Sequence, residues 1–237
     1  MSPLALWVLV PLKNLGRAKE RLSGALASLA RRELVEAMAR DVIEALQAVP
    51  VAPAHIVLVS DDDDVAALAA QYGVALFRPA AAAADPLNAA LTEAMRHACA
   101  GGAGHVLVMH ADLPLARAAE LRALIEAHLA ALGARGAPLA TLVTDRAREG
   151  SNCLLSTPPD ALPYRFGAGS RARHHEAARA AGVRWAEHDG AGLGQDIDHP
   201  DDLAELVAIC QSAENAGGAH TTRLLLRRGS EGNGPTF

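Results

Sequence analysis

The sequence predicts an α/β fold, a mostly parallel mixed sheet with helices on both faces. Three observations predict it. Short runs of Val, Ile and Leu recur along the chain and read as strands buried in a sheet. Longer segments between them carry apolar residues at helical spacing. The two kinds alternate, as they do where helices cover both sides of a parallel sheet.

Taken in order, "LALWVLV" is a first buried strand, and "LARRELVEAMARDVIEALQAV" is a helix with Leu34, Met38, Val42, Ile43 and Leu46 along one face. "HIVLVS" is a second strand. "DDDDVAALAAQYG" is a helix capped by acidic residues and closed at Gly73. "VALF" is a short third strand, and "DPLNAALTEAMRHACAGG" is a helix with Pro86 near its start. The fourth strand is "HVLVMH", followed by the helix "PLARAAELRALIEAHLAALG". "PLATLVT" and "SNCLLS" are further strands, "SRARHHEAARAAG" a helix, "VRWAEH" a strand and "PDDLAELVAICQ" a final helix. Beyond it only "LLL" suggests a core contribution. Residues 1–210 therefore read as the folded domain, and residues 211–237 as a poorly ordered tail or an arm packing on a second subunit of a homodimer.

Composition narrows the function classes. With 237 residues, half of them apolar, the chain is globular and long enough for a substantial core. Cys99, Cys153 and Cys210 lie far apart with no CxxC, which fits a reducing, cytoplasmic setting. The N-terminal apolar run lacks the basic flank and cleavage site of a signal peptide, and no run approaches a membrane span. A net charge of −5 without an aromatic-basic pattern argues against nucleic acid as a partner.

Charge is unevenly placed. From Pro11 to Arg32 six basic residues accompany one acid, a local +5, so the remainder carries −10. Lys13, Arg17, Lys19 and Arg21 cluster directly after the first strand, where an open α/β sheet binds its ligands. An anion is the expected occupant. The same rule selects Ser60–Asp64, His110–Pro114 and Thr144–Ser151.

Asp112 ends a buried strand, where its carboxylate can meet a divalent cation; it suits equally the capping of a helix near Pro114. Asp196 and Asp198 lie two apart, on one side of an extended segment, where they repel unless a cation lies between them. Helix capping accounts for Asp198, Asp201 and Asp202 but less well for Asp196, so with Asp112 the set favours Mg²⁺. Gly150, Ser151 and Asn152 at a strand entrance, and Gly167, Gly169 and Ser170 before a helix, can present backbone N–H groups and hydroxyls to an anion. "SDDDD" at residues 60–64 is a solvated helix cap. His174 and His175 are adjacent on a helix, so their rings face different ways, and no zinc motif is present. No GxxxxGK[ST], GxGxxG after the first strand or GxSxG occurs.

The motifs "VPLKNLGRAKERL", "PLNAAL", "ADLP", "TDRAREGSNCLL", "FGAGSRARHHEAA" and "DIDHPDDL", in this order, resemble the 2-phospho-L-lactate guanylyltransferase family of coenzyme F(420) biosynthesis over about residues 4–210. The resemblance implies a GT-A-like, Rossmann-related nucleotidyltransferase. Such an enzyme joins GTP to 2-phospho-L-lactate, phosphoenolpyruvate or 3-phosphoglycerate and releases pyrophosphate. It further implies that Pro11, Lys13, Arg17, Lys19, Arg21 and Asn88 bind the nucleotide, with Lys13, Lys19 and Asp112 catalytic. Asp112, Asp196 and Asp198 would hold two Mg²⁺ ions, and Ser151, Gly167 and Ser170 the phospho-acid. Ser151 and His199 stand where the family more often has Thr, and Pro86–Leu87 where a glycine is expected. The competing readings are a nucleotidyltransferase using CTP or another nucleotide with a sugar phosphate or cofactor precursor, and an inactive GT-A-like binding protein.

Overall fold

The computed structural model describes residues 5–12, 19–80, 84–212 and 218–230. The strands are β1 (Leu6–Pro11), β2 (Ile56–Val59), β3 (Ala75–Phe77), β4 (His105–Met109), β5 (Leu139–Val143), β6 (Cys153–Thr157) and β7 (Arg184–Glu187). The helices are α1 (Ser28–Gln47), α2 (Asp63–Tyr72), α3 (Pro86–Ala100), α4 (Ala118–Arg135), α5 (Ser170–Ala181), α6 (Pro200–Ser212) and α7 (Ala219–Ser230). The strands form one sheet in the order β3-β2-β1-β4-β6-β5-β7. Every neighbouring pair is parallel except the two made by β6, which runs against β4 and β5.

Alternation along the strands sends side chains to two cores. Leu6, Val8, Val10, Leu107, Met109 and Leu155 face α1, α2, α4, α6 and α7. Trp7, Leu9, Val106, Val108 and Leu154 face α3 and α5. Helices thus cover both faces, which is why the central strands are apolar throughout. The acidic run caps α2 as its composition suggests: the Asp62 side chain accepts from the Asp64 N–H at 2.9 Å.

The reversed β6 decides where the site lies. Its first residue, Cys153, is in register with Met109 at the end of β4 and with Val143 at the end of β5. The residues entering β6 are therefore delivered to the same edge as the carboxyl ends of the parallel strands. The Ser60–Asp64 segment ends a strand two places from β4 and does not line the cavity described below.

Beyond residue 210 the structure departs from the expected tail. Residues 219–230 form α7, which docks on α1 of its own chain and buries Thr221, Leu224 and Leu225. The i, i+3, i+4 spacing of these three was the available signal, masked by the surrounding polar residues. Asp41, buried in α1, anchors the helix start by accepting from the His220 and Thr221 backbone N–H groups, each at 2.9 Å. Gly218 passes so close that a Cβ there would lie 2.0 Å from the Asp41 Cγ. Replacing Asp41 with alanine is expected to cost about 1–2 kcal/mol through the lost cap. The urea midpoint measures this, and an unchanged midpoint would show that α7 docks by its apolar face alone.

At the opposite edge of the sheet, His128 is buried between two threonines: its Nδ1 lies 2.8 Å from Thr141 Oγ1 and its Nε2 2.9 Å from Thr157 Oγ1. Burial, with lesser contributions from His105 and Arg184, lowers its pKa from 6.5 to about 4. The folded protein therefore holds this imidazole neutral where the unfolded chain would protonate it. That stabilisation is complete above pH 6.5 and is lost as pH falls toward 4, a change of about 3 kcal/mol. Urea midpoints over this range should fall with acidity, and His128→Gln should flatten the fall.

Candidate active site

A cavity of about 630 Å³ opens at the carboxyl edge of the sheet, between the end of β4, the start of β6, the start of α5 and the segment leading into α6. Its lining includes Asp112, Asp196, Asp198 and Arg21, and also Ser151, Gly167 and Ser170.

Asp112 emerges from β4, and the next helix begins only at Ala118. Its side chain is therefore not used as that helix's cap, which resolves the alternative left open by sequence. The Lys19 ammonium donates to Asp112 Oδ2 and to Asp198 Oδ1, tying the loop after β1 to the other two segments. Arg21 lies 3.6 Å from Asp198 Oδ2. Lys19 holds a left-handed backbone conformation, φ 56°, at a cost of about 1 kcal/mol; non-glycine residues held there concentrate at functional sites.

The electrostatics follow from this packing. Burial disfavours the Lys19 charge, but Asp112 and Asp198 outweigh it and hold its pKa above 10.5. Burial likewise pushes the Asp112 carboxyl up, and Lys19 with His110 more than reverses that, leaving it below the ordinary value. Among the described residues Asp196 has no ion pair with a cation. Burial and then the Asp112 charge raise its pKa, opposed by the Asn152 amide, which donates to Asp196 Oδ1 at 3.2 Å. Asp198 does not serve as a helix cap: the Asp198 and His199 N–H groups donate to the Asp202 carboxylate at 3.0 and 2.7 Å. Asp202, not Asp198, closes the first turn of α6.

These residues fit a divalent cation on three counts. The donor set is all oxygen, as Mg²⁺ prefers. Among the described residues Asp112 Oδ1, which is buried, has no hydrogen-bond partner. A cation, the Lys19 ammonium, already lies between two of the carboxylates. The three carboxylates do not converge to a common ligand distance; among the described residues the one acidic cluster that does is Asp41, Glu44 and His220, already engaged in docking α7.

Glycine-dependent turns and buried hydroxyls also line the cavity. Gly167 and Gly169 adopt φ of 112° and 64°, conformations that L side chains resist, and so turn the chain sharply into α5. Ser170 opens that helix, and its hydroxyl lies 3.0 Å from Ser151 Oγ. His174, one turn further, places Nδ1 3.0 Å from Ser151 Oγ and accepts the Arg165 N–H at Nε2, 2.8 Å away. Burial, then the Arg173 charge, lowers the His174 pKa to about 4, so the ring is neutral near pH 7.

Not every expected residue reaches the cavity. Lys13 and Arg17 lie outside the described residues. Pro11 ends β1 and pairs with Val59 without lining the cavity. Asn88 also lies behind it. Its amide donates to Asp85 at 2.7 Å and to the Phe166 carbonyl at 3.1 Å, and its carbonyl accepts the Phe166 N–H at 2.9 Å. Asn88 thus clamps the Phe166–Gly167 turn, a support role that its place in a helical motif could not reveal.

Other residues matter more than their types suggested. Asn152 holds both Asp196 and the Leu193 carbonyl, the latter at 3.1 Å. His110, beside Asp112, leaves a buried Nε2 without a partner. His174 faces inward while His175 packs on Trp185, with ring centroids 5.4 Å apart. Adjacency on a helix showed that the two rings diverge, but not which one meets Ser151.

The chain is similar to known proteins over most of its length. A family model described as "Guanylyl transferase CofC like" matches residues 6–217. A phosphoenolpyruvate guanylyltransferase of Rubrobacter xylanophilus is 38% identical over 205 residues, which is 86% of this chain and 95% of that protein. Another of the same name, from Sphaerobacter thermophilus, is 41% identical over 199 residues, 84% of this chain and 90% of that one. A solved cytidylyltransferase structure from Leptospira borgpetersenii matches with a TM-score of 0.60 at 13% identity, over 97% of this chain and 95% of that one. At such identity the likeness speaks for the fold alone, and the fold is GT-A-like.

Proposed function

Because this chain belongs to the CofC-like guanylyl transferase family and is a nucleotidyltransferase, we propose that it transfers GMP from GTP to the phosphate of a three-carbon phospho-acid. Phosphoenolpyruvate, the acid in the relatives' names, is the first candidate, ahead of 2-phospho-L-lactate and 3-phosphoglycerate. The product would feed coenzyme F(420) biosynthesis. The observation that supports this reading is one cavity lined by three carboxylates and Arg21 together with buried hydroxyls at a helix start.

In this reading an oxygen of the acid's phosphate attacks the α-phosphorus of GTP. The bond from that phosphorus to the bridging oxygen breaks, and pyrophosphate leaves with the electron pair. The acid's phosphate is already ionised near pH 7, so no side-chain base is needed. Catalysis then rests on alignment and charge. Asp112, Asp196 and Asp198 would hold Mg²⁺, which supplies positive charge to the phosphate oxygens when bound. Lys19 and Arg21 neutralise charge on the triphosphate side, joined by Lys13 and Arg17 from the same basic segment. Ser151, Gly167 and Ser170 receive the acid.

The test is pyrophosphate release with GTP and Mg²⁺ and each acid in turn. Release with one of them names the substrate. Folded protein that binds GTP yet releases nothing with any of the three sinks the reading.

A further inference from the structure

Ser151 and His174 look at first like a nucleophile and its base, with Oγ and Nδ1 3.0 Å apart. The hydrogen bonds exclude that assignment. A backbone N–H can only donate, so the Arg165 N–H, 2.8 Å from Nε2, requires Nε2 to accept. A neutral imidazole carries one proton, which must then sit on Nδ1. His174 therefore carries its proton on Nδ1, where Ser151 Oγ and the Ser170 backbone carbonyl are its acceptors, and it cannot take a proton from Ser151. All three partners are buried: His174 is 0% exposed, Ser170 2% and Ser151 5%.

Ser151 and Ser170 share one hydrogen bond, 3.0 Å long, and have two hydroxyl protons between them. One proton fills that bond. Among the described residues the other has no hydrogen-bond acceptor, and both serines line the cavity. A ligand oxygen is the acceptor that completes the set.

We infer that His174 is a positioning residue: by donating to Ser151 it obliges the Ser151–Ser170 pair to present one hydroxyl proton to an anionic oxygen, phosphate or carboxylate, of the acceptor acid. The inference rests on the proposed reaction for the identity of the acid, but not for the direction of the hydrogen bonds. It makes Ser151 a donor to the substrate rather than a nucleophile. It also gives the serine pair selectivity for acceptors, since a neutral oxygen would gain less from a donor aimed at it.

Two substitutions separate this role from mere support of the Arg165–Phe166 turn. In His174→Asn the amide N–H can reach the position of Nδ1 and still donate to Ser151, while the contact to Arg165 is lost. In His174→Gln the amide oxygen reaches the position of Nε2 and keeps the Arg165 contact, while the donor to Ser151 is lost. The inference expects His174→Gln to raise the KM for phosphoenolpyruvate by about tenfold with the KM for GTP unchanged, and His174→Asn to stay near wild type. A worse defect in His174→Asn than in His174→Gln, or an equal rise in the KM for GTP, would overturn it. Imidazole ¹⁵N chemical shifts of the free wild-type protein give a readout independent of turnover. A protonated Nδ1 and bare Nε2 on His174 are expected, and the opposite tautomer refutes the inference even if the protein proves to act on another acid. Should wild type bind phosphoenolpyruvate by calorimetry without turning it over, the proposed reaction fails, and binding to the two variants still decides the role of His174.

Discussion

Asp112→Asn is expected to lower the rate of nucleotidyl transfer by about 10³-fold while leaving the protein folded. The substitution keeps size and shape and removes a single charge. In the folded protein that charge has the Lys19 ammonium as its partner, and its other oxygen, Oδ1, is buried and, among the described residues, unpaired. An amide in the same place can neither balance Lys19 nor offer a charged oxygen to Mg²⁺. Lys19 retains Asp198, so the fold should tolerate the change. Two measurements check this. Single-turnover rates at saturating GTP should show the loss, and the rise in melting temperature on adding Mg²⁺ should shrink. A variant within tenfold of wild type would remove Asp112 from the catalytic set.

The second large effect concerns Lys19. Lys19→Ala leaves Asp112 and Asp198 facing one another without the cation between them. Removing one partner of a buried pair costs 3–5 kcal/mol; here about 2–3 kcal/mol is expected, because the Asp198 side chain is 39% exposed. The same variant should gain more thermal stability from Mg²⁺ than wild type does, since the metal no longer competes with an ammonium. Turnover should nevertheless fall by about 10²-fold if Lys19 neutralises the leaving pyrophosphate as proposed, because a metal would not replace that side chain. Melting curves with and without Mg²⁺, beside initial rates, test both halves. A Lys19→Ala protein as stable as wild type without metal would show that the Lys19 contacts contribute nothing net.

Much of the fold was legible because its signals are local. The apolar strands, the helical spacing in α1, the acidic cap of α2 and the proline start of α3 each lie within a few residues of one another. The rule that ligands gather at carboxyl ends of strands then brought Asp112 into view, and the two-residue spacing did the same for Asp196 and Asp198. The α7 helix was missed because its burial depends on Asp41 and the face of α1, nearly the whole chain away in sequence. The resemblance assigned Asn88 to the nucleotide; that it also holds Phe166 was not legible, because those hydrogen bonds join residues 78 apart.

The sequence by itself determined an α/β chain with a basic loop after its first strand and three carboxylates suited to the ligand edge, because periodicity, strand ends and charge are properties of short windows. Only the tertiary structure decided that Lys19 lies between Asp112 and Asp198, 93 and 179 residues away. It likewise decided that Asn152 steadies Asp196 and that His174 turns its proton toward Ser151. Those pairings follow from the strand order and from the one reversed strand, β6, which brings the start of one segment beside the end of another. No local window encodes which segments will meet at that edge. The packing of two cores on opposite faces of the sheet does.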